Sequence, residues 1–159
     1  VSSEAPDIAI RPMEEGEPEE EGFVAGVWQV SFREDVHRSS QHHPAYRAVK
    51  PALKTDLRRQ VNSLLAKPGA VVLLATNPED AQHFLGFIAY ELLPLQGGPL
   101  IVHYLYVKQL YRRMGVGRAL LDAARGTNAE QPIIYTHRTY KGAAFMEAVN
   151  ALYLPHFAR

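Results

Sequence analysis

Apolar and polar positions alternate along DIAIRP (7–12), which predicts a short first strand. The spacing then changes. Phe23, Val27 and Val30 recur at helical intervals with Val24 and Trp28 beside them, predicting an amphipathic helix over 21–35. Residues 36–50 are polar and include Pro44, so they read as a loop. Pro51 suits the first position of a second helix, whose stripe is Leu53, Leu57, Val61, Leu64 and Leu65 and which stops at Lys67-Pro68-Gly69. Strand patterns fill the middle of the chain, at 70–76, 83–93 and 100–108. The turns between them, NPEDAQ (77–82) and PLQGGP (94–99), are short enough for antiparallel hairpins.

A helix is expected at 115–126, with Val116, Leu120 and Ala123 on its buried face and Arg118, Asp122 and Arg125 on the other. A strand at 132–137, a helix at 139–152 burying Phe145, Val149 and Leu152, and a closing strand at 153–157 complete the pattern. The order β-α-α-β-β-β-α-β-α-β describes an α/β (α+β) mixed sheet with helices on both faces. No repeat or linker divides it, so residues 1–159 read as a single domain with a flexible tail at 1–6.

Composition narrows the function classes. With 47% apolar and 21% charged residues the chain has the make-up of a folded domain, not of a disordered one. It has no cysteine, which removes disulfides, thiolate catalysis and sulfur-ligated zinc. The formal net charge is zero, which argues against nucleic acid and anionic membrane as partners. No segment approaches the ~20 apolar residues of a bilayer span. The acidic N-terminus lacks the basic-then-apolar order of a signal peptide, so the expected location is cytoplasmic. The charge run at 13–21 reads as a solvated loop whose last acids favour the next helix start; an acidic rim for a cationic substrate is the sharper alternative.

The chemistry concentrates where the strand at 100–108 hands over to the helix at 115–126. Two glycines and the cations Lys108, Arg112, Arg113 and Arg118 crowd a helix start, whose unpaired N–H groups suit phosphate. A P-loop needs G-x-x-x-x-G-K-[ST], which is absent. A dinucleotide fingerprint needs a third glycine where Leu120 stands, and a position after a first parallel strand. The string Arg112-Arg113-Met114-Gly115-Val116-Gly117 instead reads R-x-x-G-x-G. With Val107 five residues ahead of Arg112, it resembles the acetyl-CoA signature of the GNAT superfamily of N-acetyltransferases. The strings VHYLYVKQLYRRMGVG and YTH also look like a phage-associated branch of it.

That resemblance implies acetyl-CoA as cosubstrate and direct attack by a primary amine, with no metal. The backbone of Leu105, Tyr106 and Val107 would pair with pantetheine, and the N–H groups from Arg113 through Met114, Gly115, Val116 and Gly117 to Arg118 would hold the pyrophosphate. The guanidinium groups of Arg112, Arg113 or Arg118 would assist at the phosphates. The thioester oxyanion would rest on a strand N–H, that of Val107. Relatives place a tyrosine near the sulfur on the last helix, where this chain has Met146. Tyr140, Tyr153 or Tyr104 would replace it, or the thiolate leaves without a donor.

His103 and His137 are the candidates for relaying the amine's proton, against the plainer reading of structural histidines. His37, His42 and His43 lack carboxylates at ligand spacing, so no metal is expected there. The acceptor, a small molecule or a peptide or protein amine, should enter between 36–50 and the C-terminal strands. A monomer or homodimer is expected. The alternative function is a GNAT-fold CoA-binding or regulatory module without turnover.

Overall fold

The computed structural model describes residues 7–93, 98–155 and 157. The expected tail at 1–6, most of the turn at 94–99 and His156 lie outside them. The elements are β1 (Ala9–Pro12), α1 (Pro18–Ser40), α2 (Pro44–Leu65), β2 (Ala70–Asn77), β3 (Asp80–Leu92), β4 (Leu100–Val107), a 3₁₀ turn (Gln109–Tyr111), α3 (Val116–Arg125), β5 (Ile133–Tyr135), α4 (Tyr140–Ala148) and β6 (Leu152–Tyr153). This is the mixed α/β architecture and element order expected from the sequence. The six strands lie in chain order, antiparallel from β1 to β4 and parallel from β4 through β5 to β6.

Each face of the sheet carries its own core. Val72, Leu74, Phe87, Ala89 and Tyr104 pack with Val24 and Trp28 of α1 and Val61 and Leu64 of α2. Leu73, Ala75, Ile88, Tyr90, Leu100 and Val102 pack with Leu120 and Leu121 of α3 and Met146 of α4. Alternate residues of one strand thus serve opposite faces.

The helical boundaries differ from expectation where the chain is polar. The loop at 36–50 is mostly helix: α1 runs on to Ser40 and α2 starts at Pro44, capped by the His43 ring, which accepts the Ala45 N–H at 3.1 Å. Pro44, not Pro51, takes the helix start, and Pro51 lies inside α2. The first turns of α2 stand out in solvent with Tyr46 the buried residue among them, held to His37 at 2.9 Å. They therefore show no apolar period to read. Val30 is exposed, and α1 begins at Pro18.

On α3 the buried face is Val116, Leu120, Leu121 and Ala124, so Ala123 is exposed, contrary to expectation. The helix expected to 152 ends at Ala148, because Asn150 takes φ +57° and Leu152 enters β6, exposed. The strand expected at 132–137 is Ile133–Tyr135, and the closing strand at 153–157 is Leu152–Tyr153.

Two features of β4 position the site. Its register with β3 slips at His103: Ala89 faces Tyr104, while Tyr90 faces Val102. This bulge inserts one residue and reverses the alternation. Leu100 and Val102 face the α3 side, Tyr104 the α1 side, then Leu105 and Val107 the α3 side again. Second, β4 pairs with β5 only from Leu100 to Val102. Beyond Val102 the two parallel strands part.

Gly86 lets β3 lie close to this end of β4. A methyl there would sit 2.3 Å from the Tyr106 carbonyl oxygen and 3.1 Å from Val107 Cα. Backbone cannot yield as a side chain does, so Gly86→Ala is expected to destabilise the fold by about 1–3 kcal/mol. Urea denaturation measures it, and an unchanged midpoint would contradict this reading of the strand contact.

Candidate active site

The opening between β4 and β5 is a groove of about 960 Å³ that passes through the sheet from the α1 side to the α3 side. Its floor is β4 from Val102 to Val107, one wall is the start of α3, and the other is α4 with His137. The Lys108 N–H donates to the Leu85 carbonyl at 2.9 Å. By antiparallel alternation, the backbone groups of Tyr106 and Tyr104 also face β3, and those of Leu105 and Val107 face the opening. Tyr106 is thereby removed from the set whose backbone can pair across the groove; its ring instead lies under the Arg112 guanidinium, 5.7 Å away. Arg112 also donates from Nε to the Val107 carbonyl at 2.9 Å, tying the end of β4 to the following loop.

That loop turns through two left-handed residues, Arg113 at φ +64° and Gly115 at φ +85°. Successive N–H groups in such a turn converge into an anion-binding concavity. Gly115 caps α3 without a side-chain hydrogen bond, and the first intrahelical bond runs from the Ala119 N–H to the Gly115 carbonyl. The N–H groups of Val116, Gly117 and Arg118 therefore lie ahead of the helical ladder. Arg113 and Arg118 line the groove, and Arg118 also pairs with Asp122 at 3.2 Å. Met114 is exposed and does not line it. Lys108 points to the other face, 5.5 Å over the Phe23 ring, so it does not join the cations of the helix start.

The proton-handling candidates separate clearly. His137 lines the groove, 8% exposed, edge-on to Trp28 and Phe32. His103 is the bulge residue and is buried. Tyr104 is buried, stacked on Trp28, and shares a 2.6 Å hydrogen bond with Ser31. Burial pushes its phenol far above the ordinary tyrosine range against the opposing effect of that bond, so it stays protonated at working pH. Tyr140 is 77% exposed at the mouth, its N–H donating to Asp35 at 2.8 Å. Tyr153, on β6, packs against Tyr135 of β5 and is not among the groove residues. Met146 is buried and lines the groove. Glu34, Asp35 and Arg38 of α1 complete the mouth.

Sequence reading missed two members of the site. Glu91 on β3 receives a hydrogen bond from Lys67 at 3.1 Å and another from His103 Nε2. The hydroxyl of Thr136 lies 2.9 Å from Nδ1 of His103 and 2.9 Å from Nδ1 of His137. Glu91 is the one carboxylate within the apolar run HFLGFIAYELL, and that isolation was its available signal. Thr136 had none.

Burial pushes the Glu91 carboxyl upward, but hydrogen bonds from His103 and Lys67 outweigh it and hold the group below its ordinary range. A carboxylate with a depressed pKa in the fold stabilises above its unfolded value of about 4.3, and that contribution disappears as pH falls through the lower folded value. The stability gap between wild type and Glu91→Gln is therefore expected to be widest near neutrality and to narrow below about pH 4. Urea melts at both pH values measure it; a gap that stays constant would contradict an ionised Glu91.

Among the described residues, no group of three or more His, Asp or Glu could hold a metal ion, and no helix is long and apolar enough to cross a membrane.

The sheet thus opens beside a bulged strand, and a helix start with no side-chain cap stands at the end of the opening. A model of the acetyltransferase (GNAT) family matches residues 38–138, and the chain belongs to that family. The solved GCN5-related N-acetyltransferase of Ralstonia eutropha JMP134 is 17% identical, with 96% of this chain and 97% of that chain covered at a TM-score of 0.56. The paia N-acetyltransferase of Thermoplasma acidophilum, solved in complex with coenzyme A, is 15% identical, covering 89% and 87% at 0.53. The ribosomal-protein-alanine N-acetyltransferase of Brucella melitensis biovar Abortus 2308 is 16% identical, covering 90% of each chain at 0.52. These similarities are similarities of fold. No curated protein matches the chain.

Proposed function

We propose that this chain transfers the acetyl group of acetyl-CoA to a primary amine by direct attack. The observation that carries the reading is the continuity of the groove. The opened edge of β4, with backbone groups of Leu105 and Val107, leads directly to the left-handed turn and free helix start at Gly115. An extended pantetheine would hydrogen-bond along the strand as an added one, and its pyrophosphate would meet the N–H groups of Val116, Gly117 and Arg118. Arg113 and Arg118 supply positive charge there, while Arg112 serves by fixing Val107.

The thioester end of the donor then falls near the bulge, beside His137. Leu105 lies nearer that end than Val107, so we assign the oxyanion to the Leu105 N–H in place of Val107. Amines arrive as ammonium ions, and Glu34 and Asp35 at the mouth suit a cationic acceptor, either a small molecule or a peptide or protein amine. We assign the amine's proton to His137, and the proton given to the departing thiolate to Tyr104 or Tyr140. No protein nucleophile enters, in keeping with a chain that lacks cysteine. Consumption of acetyl-CoA suits a cytoplasmic setting.

A thiol-release assay against a broad panel of amines tests the proposal. Free CoA should appear with at least one amine, together with the acetylated product by mass spectrometry. Met146 in the groove favours a second reading, a CoA-binding module without turnover. Saturable acetyl-CoA binding with no acetylated amine, peptide or protein would select it.

A further inference from the structure

The two histidines of the site are joined through a single hydroxyl, and that junction has a direction. Thr136 is fixed beside the bulge by its N–H, which donates to the Val102 carbonyl at 3.0 Å. Its side chain lies 2.9 Å from Nδ1 of each imidazole. A hydroxyl has one hydrogen, so it can donate to one ring nitrogen and must accept from the other. Glu91 decides which. An ionised carboxylate only accepts, so Nε2 of His103 carries a hydrogen. The relay takes His103 as neutral at rest; Nδ1 is then an acceptor and the Thr136 hydroxyl donates to it. The same oxygen must accept from Nδ1–H of His137. Nε2 of His137 is consequently the nitrogen with the lone pair. His103, Thr136 and His137 are at least nine-tenths buried and the Glu91 side chain is 11% exposed, so little water competes for these bonds.

We propose that Glu91, His103 and Thr136 form a polar relay that sets the tautomer of His137, making its Nε2 a base, and that draws the acceptor amine's proton away from the groove. The catalytic role rests on the acetyl-transfer reading above; the tautomer does not. In the proton step an ammonium N–H bond breaks as a bond to Nε2 of His137 forms. The Nδ1 hydrogen of His137 passes to the Thr136 oxygen, whose own hydrogen passes to Nδ1 of His103. The products are a neutral amine, a neutral His137 in its other tautomer, and an imidazolium at His103 against the Glu91 carboxylate. The positive charge has moved from the acetyl-transfer site to an ion pair that Lys67, part exposed, connects to the surface. Glu91, His103 and Thr136 are positioning residues; His137 is the catalytic one.

The test is long-range ¹H–¹⁵N correlation of the imidazole rings in the intact protein at pH 8, without donor or acceptor. Wild-type His137 should show a protonated Nδ1 and an unprotonated Nε2, the opposite of the tautomer imidazole favours in water. Thr136→Val keeps the size and removes the hydroxyl, and should lose that signature; Thr136→Ser should retain it. A wild-type His137 carrying its hydrogen on Nε2 would overturn the proposal even if the valine variant did not fold. So would a Thr136→Val spectrum unchanged from wild type. With an amine that turns over, Thr136→Val should lower kcat about tenfold or more at unchanged KM for acetyl-CoA, with serine restoring it. A chain that shows the tautomer yet acetylates nothing refutes the acetyl-transfer reading and the relay's catalytic role, and leaves the tautomer assignment standing.

Discussion

Gly115→Glu is expected to weaken acetyl-CoA binding by roughly a thousandfold while the fold persists. Gly115 holds φ +85°, and a methyl built on it meets no other atom within 4 Å, so the protein itself leaves room for a side chain. Two costs arise when the donor binds, the first because a residue with a Cβ relaxes out of this turn in the free protein and must return to it around the pyrophosphate. Holding a residue with a Cβ in the left-handed region costs about 1–2 kcal/mol. A carboxylate beside the pyrophosphate adds like-charge repulsion, about 4 kcal/mol for two unit charges ~4 Å apart at an effective dielectric of ~20. Screening and side-chain movement reduce the total, and three decades in affinity correspond to about 4 kcal/mol. Gly115→Ala carries the strain without the charge and should lose only about tenfold. Calorimetric titration of both variants separates the terms. Equal affinity in wild type and the glutamate variant would place the phosphates away from the α3 start.

His137→Gln is expected to lower kcat by about 10²–10⁴-fold, the usual contribution of a positioned acid–base group. The donor's pantetheine and phosphates would be held by β4 and α3, so KM for acetyl-CoA should change little. Glutamine occupies similar space beside Trp28 and Phe32, which limits the packing loss. A variant with full kcat would remove His137 from the chemistry and leave proton loss to the solvent. A fall in affinity equal to the fall in rate would mark the ring as a wall of the groove and not as a base.

The site was legible in the sequence to the extent that it is local. The offset from Val107 to Arg112 and the Gly115-Val116-Gly117 turn lie within a dozen residues, and their backbone geometry follows from glycine's access to positive φ. The strands and helices of the described residues were readable because the two cores leave apolar signals, the i, i+4 pair Val116 and Leu120 on α3 and the unbroken run from Val72 to Ala75 on β2, buried on both faces. Residues 36–50 were misread because their helices project into solvent and carry no apolar stripe. The bulge at His103 has no local signal. It follows from the pairing of β4 with β3 on one side and its short pairing with β5 on the other. The same register brings Glu91, His103 and Thr136 together from three parts of the chain. A linear reading could list the histidines but could not join them, nor see that Tyr153 falls on the outer strand.

The most direct measurement is a backbone amide ¹H–¹⁵N titration of the protein with acetyl-CoA. Donor binding in the opened groove should saturate and shift the N–H signals of Leu105 and Val107 together with those of Val116, Gly117 and Arg118. The shifts should leave β1 and the exposed start of α2 in place, and should vanish in Gly115→Glu. An acetyl-CoA titration that moves none of these five signals, or that moves a different surface instead, would contradict the account.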